Sequence, residues 1–126
     1  TGGRMKILVI DDDEQMRVLL RQVMEWAGHE VVEAADGRAG MLMQRQHGAD
    51  LVITDLIMPE QEGLETITAL RRDYPNLKII AISGGGRIGP EAYLPAAREV
   101  GADRVFSKPF DVQELAETVR ELLAHG

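Results

Sequence analysis

Five short runs of β-forming residues punctuate this chain, and between them the apolar residues return every third or fourth position. That alternation leaves few folds open. The runs fall at 6–10 (KILVI), 30–33 (EVVE), 51–53 (LVI), 77–82 (LKIIAI) and 104–106 (RVF). Three of them carry almost no polar relief, which in runs this short favours strands covered on both faces. Met16, Leu19, Leu20, Val23, Met24 and Ala27 mark a first amphipathic helix that stops at Gly28. A second helix is expected over 37–46 behind an Asp36 cap, with Ala39, Leu42 and Met43 on its buried side. Leu64, Ile67 and Leu70 predict a third over 62–72, stopped by Tyr74-Pro75. A fourth is expected over about 91–100, with a later start if Pro95 is to sit in its first turn. In the last helix Val112, Leu115, Ala116, Val119, Leu122 and Leu123 form the stripe, and Asp111 with Glu114 fits a capping box. Strand and helix in strict alternation with short connections imply right-handed crossovers and a parallel sheet. The fold class is therefore α/β, a doubly wound five-stranded parallel sheet with helices on both faces.

With 126 residues and 44% hydrophobic content, the chain can bury one good core. One domain is expected over 5–124, with 1–4 read as an expression remnant or a frayed terminus. The formal net charge of -7 argues against a nucleic-acid surface. No cysteine is present, so disulfide and thiolate chemistry are excluded, and His29, His47 and His125 lack zinc-ligand spacing. No apolar run has the length of a membrane span and no signal-peptide pattern precedes the first strand, so the expected location is cytoplasmic.

Doubly wound folds place their sites outside the carboxyl ends of the strands. The chemistry-bearing residues fall there. Asp11 and Asp12 follow the first run, Asp55 the third, Ser83 the fourth and Lys108 the fifth. A charged group at the end of an apolar run cannot stay buried alone, so Asp55 must be solvated, paired or beside a cation. Three carboxylates drawn together repel one another and call for positive charge. Mg2+ suits an all-oxygen set, Mn2+ is a second fit, and Lys108 supplies a compact charge of its own. An aspartate beside a cation, a lysine and a hydroxyl is a credible phosphoryl acceptor.

The segments ILVIDDDE, VITDLIMP, IIAISG and VFSKPF, in this order and at these spacings, resemble the receiver domain of two-component response regulators across 5–124. The resemblance implies the flavodoxin-like strand order 2-1-3-4-5, which the residues alone do not give. It further implies that Asp55 is phosphorylated, that Asp11, Asp12 and Asp55 with the Ile57 carbonyl hold the metal, that Ser83 and Lys108 complete the catalytic set, and that the Lys108–Pro109 bond is cis. Implied partners are a sensor histidine kinase or a histidine phosphotransfer protein. An output domain or downstream protein is expected on the face of the fourth helix, fifth strand and fifth helix, with neither nucleic acid nor membrane bound directly and with a homodimer allowed.

Two departures from the family pattern stand out. The position of the usual switch aromatic, three before the lysine, is Val105, and the neighbouring Phe106 should point to the opposite face of its strand. The connection from Gly84 to Pro90 is longer than usual and reads as a lid or a partner surface. An alternative reading is a phosphorylation-independent pseudo-receiver acting as an interaction or dimerisation module, but no acceptor or metal residue is missing. A hydrolase of the haloacid dehalogenase type would need a second acid two residues after the nucleophile, where Ile57 stands.

Overall fold

The computed structural model describes residues 4–56, 62–84 and 94–124. Its elements run β1 (Lys6–Ile10), α1 (Glu14–Trp26), β2 (Glu30–Ala34), α2 (Gly37–His47), β3 (Leu51–Asp55), α3 (Glu62–Asp73), β4 (Lys78–Ser83), α4 (Leu94–Val100), β5 (Arg104–Ser107) and α5 (Val112–Ala124). All strand pairs are parallel, and the sheet order is β2-β1-β3-β4-β5. The expected doubly wound α/β architecture is therefore observed, including the order that the family resemblance implied.

Side-chain alternation along the strands feeds two cores. Ile7, Val9, Leu51, Ile53, Ile80 and Ile82 face α1 and α5, where they meet Leu20, Met24, Leu115 and Val119. Leu8, Ile10, Val52, Ile79 and Ala81 face the other way, onto Ile67 and Leu70 of α3 and Ala97 of α4. A sheet with both faces covered needs apolar residues at consecutive positions, which is why the strand runs lack polar relief. Val105 packs with the second of these cores and Phe106 with the first, so the two are on opposite faces as strand geometry requires.

The helix ends follow local chemistry. Asp13 accepts the Gln15 N–H at 2.9 Å, Asp36 accepts the Ala39 N–H at 2.8 Å, and Asp111 accepts the Gln113 N–H at 2.8 Å. Gly48 closes α2 in the left-handed conformation at φ 63. Pro95 is the second residue of α4, where its missing N–H costs nothing. The expected start at Glu91 lies outside the described residues.

One expectation fails in α2. Leu42 is 48% exposed, and the buried side of the helix is Gly37, Gly40 and Gln44. Gly40 lets α2 lie against β1, since a Cβ there would run into the Ile10 side chain. Gln44 turns inward to exchange two hydrogen bonds of 3.1 Å with the Ala49 backbone. Among the described residues no helix is long and apolar enough to cross a membrane.

Candidate functional site

Register brings the strand ends together. Asp11 extends β1 by donating its N–H to Ala34 O at 3.1 Å, and Asp55, the last residue of β3, lies beside Ile82 of β4. Lys108 follows β5 and donates its N–H to Ser83 O at 2.7 Å. Five side chains named from the sequence, Asp11, Asp12, Asp55, Ser83 and Lys108, thus share one edge of the sheet. Ile57, the expected carbonyl ligand, lies outside the described residues, as do 85–90 of the glycine-rich connection.

Asp11 and Asp55 are only 1% and 4% exposed, while Asp12 is open to solvent. One oxygen from each of the three lies within 4.8 Å of the others. Lys108 Nζ stands 3.7 Å from Asp55 Oδ1 and 3.9 Å from Asp11 Oδ2. A single ammonium cannot balance three carboxylates. Burial pushes the Asp11 carboxyl above the ordinary aspartate range, while the Asp13 N–H at 2.9 Å and Lys108 pull the other way. Ser83 Oγ is fully buried and has no hydrogen-bond partner among the described residues. Such an orphan costs about 1–3 kcal/mol unless something else satisfies it. The Lys108–Pro109 peptide bond is cis, as expected.

These residues fit a hard divalent cation. Mg2+ takes oxygens at about 2.0–2.1 Å and retains waters, so ligand oxygens about 3–4 Å apart are what it needs. Three carboxylate oxygens within 4.8 Å of one another are close to that spacing. The excess negative charge and the carboxylate oxygens that Asp11, Asp12 and Asp55 offer favour Mg2+ over softer metals.

Two contributors to the site escape a sequence reading. Gly63 in the first turn of α3 lies against the Asp55–Leu56 backbone, and Arg17 of α1 bonds the Asp11 carbonyl. A glycine inside a helical pattern and an arginine six residues beyond the acids are the only signals either one gives.

The profile of the response regulator receiver domain matches residues 7–120. The chain belongs to that family. Over 118 residues it is 29% identical to sporulation initiation phosphotransferase F of Bacillus subtilis, covering 94% of this chain and 93% of that protein. It is 32% identical to the transcriptional regulatory protein CpxR of Escherichia coli, with 94% of this chain matching but only 49% of the relative. The chain thus spans about half the length of that regulator. Among solved structures, a CheY-like receiver domain protein from Methanospirillum hungatei superposes with a TM-score of 0.88 at 26% identity, covering 98% of this chain and 96% of the other. As a receiver domain, this protein carries the family's phosphoacceptor site: an acidic cluster suited to Mg2+, a lysine paired to it, and a switch that follows phosphorylation.

Proposed function

We propose that Asp55 takes a phosphoryl group from a phosphohistidine on a sensor kinase or phosphotransfer protein, and that Asp11, Asp12, Asp55 and the Ile57 carbonyl hold the Mg2+ that the transfer requires. The observation that carries this reading is a buried carboxylate with a lysine 3.7 Å away, at the end of a strand whose neighbour ends in a buried hydroxyl that has no partner among the described residues. An Asp55 oxygen attacks phosphorus in line, and the P–N bond to the donor imidazole breaks as the acyl phosphate forms. Held by these residues, Mg2+ would supply positive charge against the phosphoryl oxygens. Lys108 pairs with a second face of the new anion, and Ser83 turns its hydroxyl to donate to a phosphoryl oxygen. Water then hydrolyses the acyl phosphate and restores Asp55.

Ser83 and Lys108 sit at the ends of β4 and β5, so their rearrangement is felt by the α4–β5–α5 face, where we place the output partner. Val105 has no aromatic ring to swing, and Phe106 is held on the opposite side, edge-on to Phe110 with centroids 6.2 Å apart. Switching here accordingly works through Ser83 and the connection that follows it.

Incubation with acetyl phosphate and Mg2+ should add one phosphoryl group to the wild type by intact-mass analysis, and none to Asp55→Asn. Equal gain by both proteins would overturn the acceptor assignment. So would failure of the wild type with small donors and with a phosphohistidine phosphotransfer protein alike.

A further inference from the structure

Asp11 is tied down at three points. Its N–H donates to Ala34 O at 3.1 Å, its Oδ1 accepts the Asp13 N–H at 2.9 Å, and its carbonyl accepts Arg17 Nη1 at 2.6 Å. The third bond is unlike the others, because it comes from a charged side chain anchored elsewhere. Arg17 Nε lies 3.3 Å from Glu33 Oε1 on β2, and the second oxygen of Glu33 takes Arg21 Nε. Arg21 is held in turn by Glu25 at 2.9 Å and by Val31 O at 3.3 Å. The Arg17 guanidinium is thus a bracket between the β2 strand and the backbone of the acidic loop.

We propose that Arg17 is a positioning residue for the carboxylate cluster: gripping the peptide between Asp11 and Asp12 from its anchor on Glu33, it fixes where both side chains can offer an oxygen to the cation. This inference rests on reading the cluster as the receiver's Mg2+ site. The peptide is planar, so holding the Asp11 oxygen also fixes the Asp12 N–H and the direction in which the Asp12 Cα leaves. Asp12 is exposed and draws little restraint from packing, so it gains most from a held backbone.

The charge of Arg17 acts in the opposite sense. A fixed cation near the cluster repels Mg2+, so a purely electrostatic role predicts that its removal tightens binding. Positioning predicts that removal weakens it. Groups that orient metal ligands from behind are worth about 10–100-fold in metal affinity.

Mg2+ titration followed by backbone amide shifts, paired with the Mg2+ dependence of phosphoryl uptake from acetyl phosphate, tests the proposal. In Arg17→Met the Mg2+ dissociation constant should rise about tenfold or more. Uptake should show the same shift in half-saturating Mg2+ with its maximal rate regained at saturation. Mg2+ binding that is unchanged or tighter in the folded variant overturns the proposal, as does a maximal rate lost without a shift in half-saturation. If Arg17→Met does not fold, Glu33→Gln decides the matter, since loosening the anchor should also raise the half-saturation point and an unchanged value would count against it. Asp12→Asn serves as the control for the underlying reading. If it binds Mg2+ as the wild type does, the cation site itself is misplaced, an outcome separate from failure of the Arg17 variant alone.

Discussion

Gly63→Ala is expected to destabilise the domain by about 1–3 kcal/mol and to slow phosphoryl uptake in the protein that remains folded. A Cβ at this position would lie 2.6 Å from Asp55 O, 2.6 Å from Leu56 Cα and 2.9 Å from Leu56 O. Carbon atoms in good contact sit at about 3.5–4.0 Å, so roughly an ångström must be found. All three neighbours are backbone, and no rotamer change can supply it. Either α3 lifts from the sheet or the end of β3 yields. Lifting α3 opens space around Ile67 and Leu70, both fully buried, while moving β3 displaces the carboxylate of Asp55, the proposed acceptor. A shift of about 1 Å at a reacting group can cost on the order of 100-fold in rate. Helix propensity alone predicts the reverse sign, since alanine is favoured over glycine by up to about 1 kcal/mol in a helix interior. Urea denaturation with single-turnover phosphorylation therefore separates the two accounts, and a variant as stable and as fast as the wild type would refute the close-approach argument.

Much of the fold is legible in the sequence because two periods, consecutive apolar residues for doubly covered strands and threes and fours for helices, are hard to confuse over ten alternating elements. The boundaries drift by a residue or two where the deciding contact is not local. Ser83 belongs to β4 because Ser107 is its partner across the sheet, and nothing in LKIIAI announces that pairing. In α2 the apolar pattern holds for Ala39 and Met43, which pack against the core, and misleads at one position. Leu42 looks like core, but Gly40 brings the helix close to Ile10 and so rotates Gln44 inward, where its amide satisfies the Ala49 backbone.

The candidate site shows the same division. Asp11, Asp12, Asp55, Ser83 and Lys108 are legible because parallel strands must deliver their ends to one edge. Gly63 and Arg17 are not, because each acts on backbone atoms of a residue outside its own helix, a contact that neither period encodes. A close approach leaves no mark in composition, and an arginine on a helix usually means a solvated face.

Asp11→Asn is expected to make the metal-free protein more stable at neutral pH and to abolish its stabilisation by Mg2+. Burial is the largest influence on Asp11 and raises its pKa above the ordinary value of 3.8. The folded state therefore holds the proton more tightly than the unfolded chain does. As pH rises from the unfolded pKa through the raised one, Asp11 costs the fold stability, and the full cost applies above that window. Asparagine is never charged, yet its amide oxygen can still accept the Asp13 N–H that Asp11 accepts at 2.9 Å. Against this stands the lost attraction to Lys108, but that ammonium is 3.9 Å away, partly exposed, and keeps Asp55 at 3.7 Å. That attraction is smaller than the burial penalty. In chelator at pH 7 the variant should melt higher, each 1 kcal/mol appearing as roughly 3–6 °C at this chain length. The gap should close as pH falls through the raised pKa toward 3.8. Mg2+ at ten times its dissociation constant should then stabilise the wild type by roughly 1.4 kcal/mol and leave the variant where it was. A variant that melts lower than the wild type in chelator, or a gap that widens on acidification, would show that Asp11 supports the metal-free fold and that burial is not the dominant influence on its carboxylate.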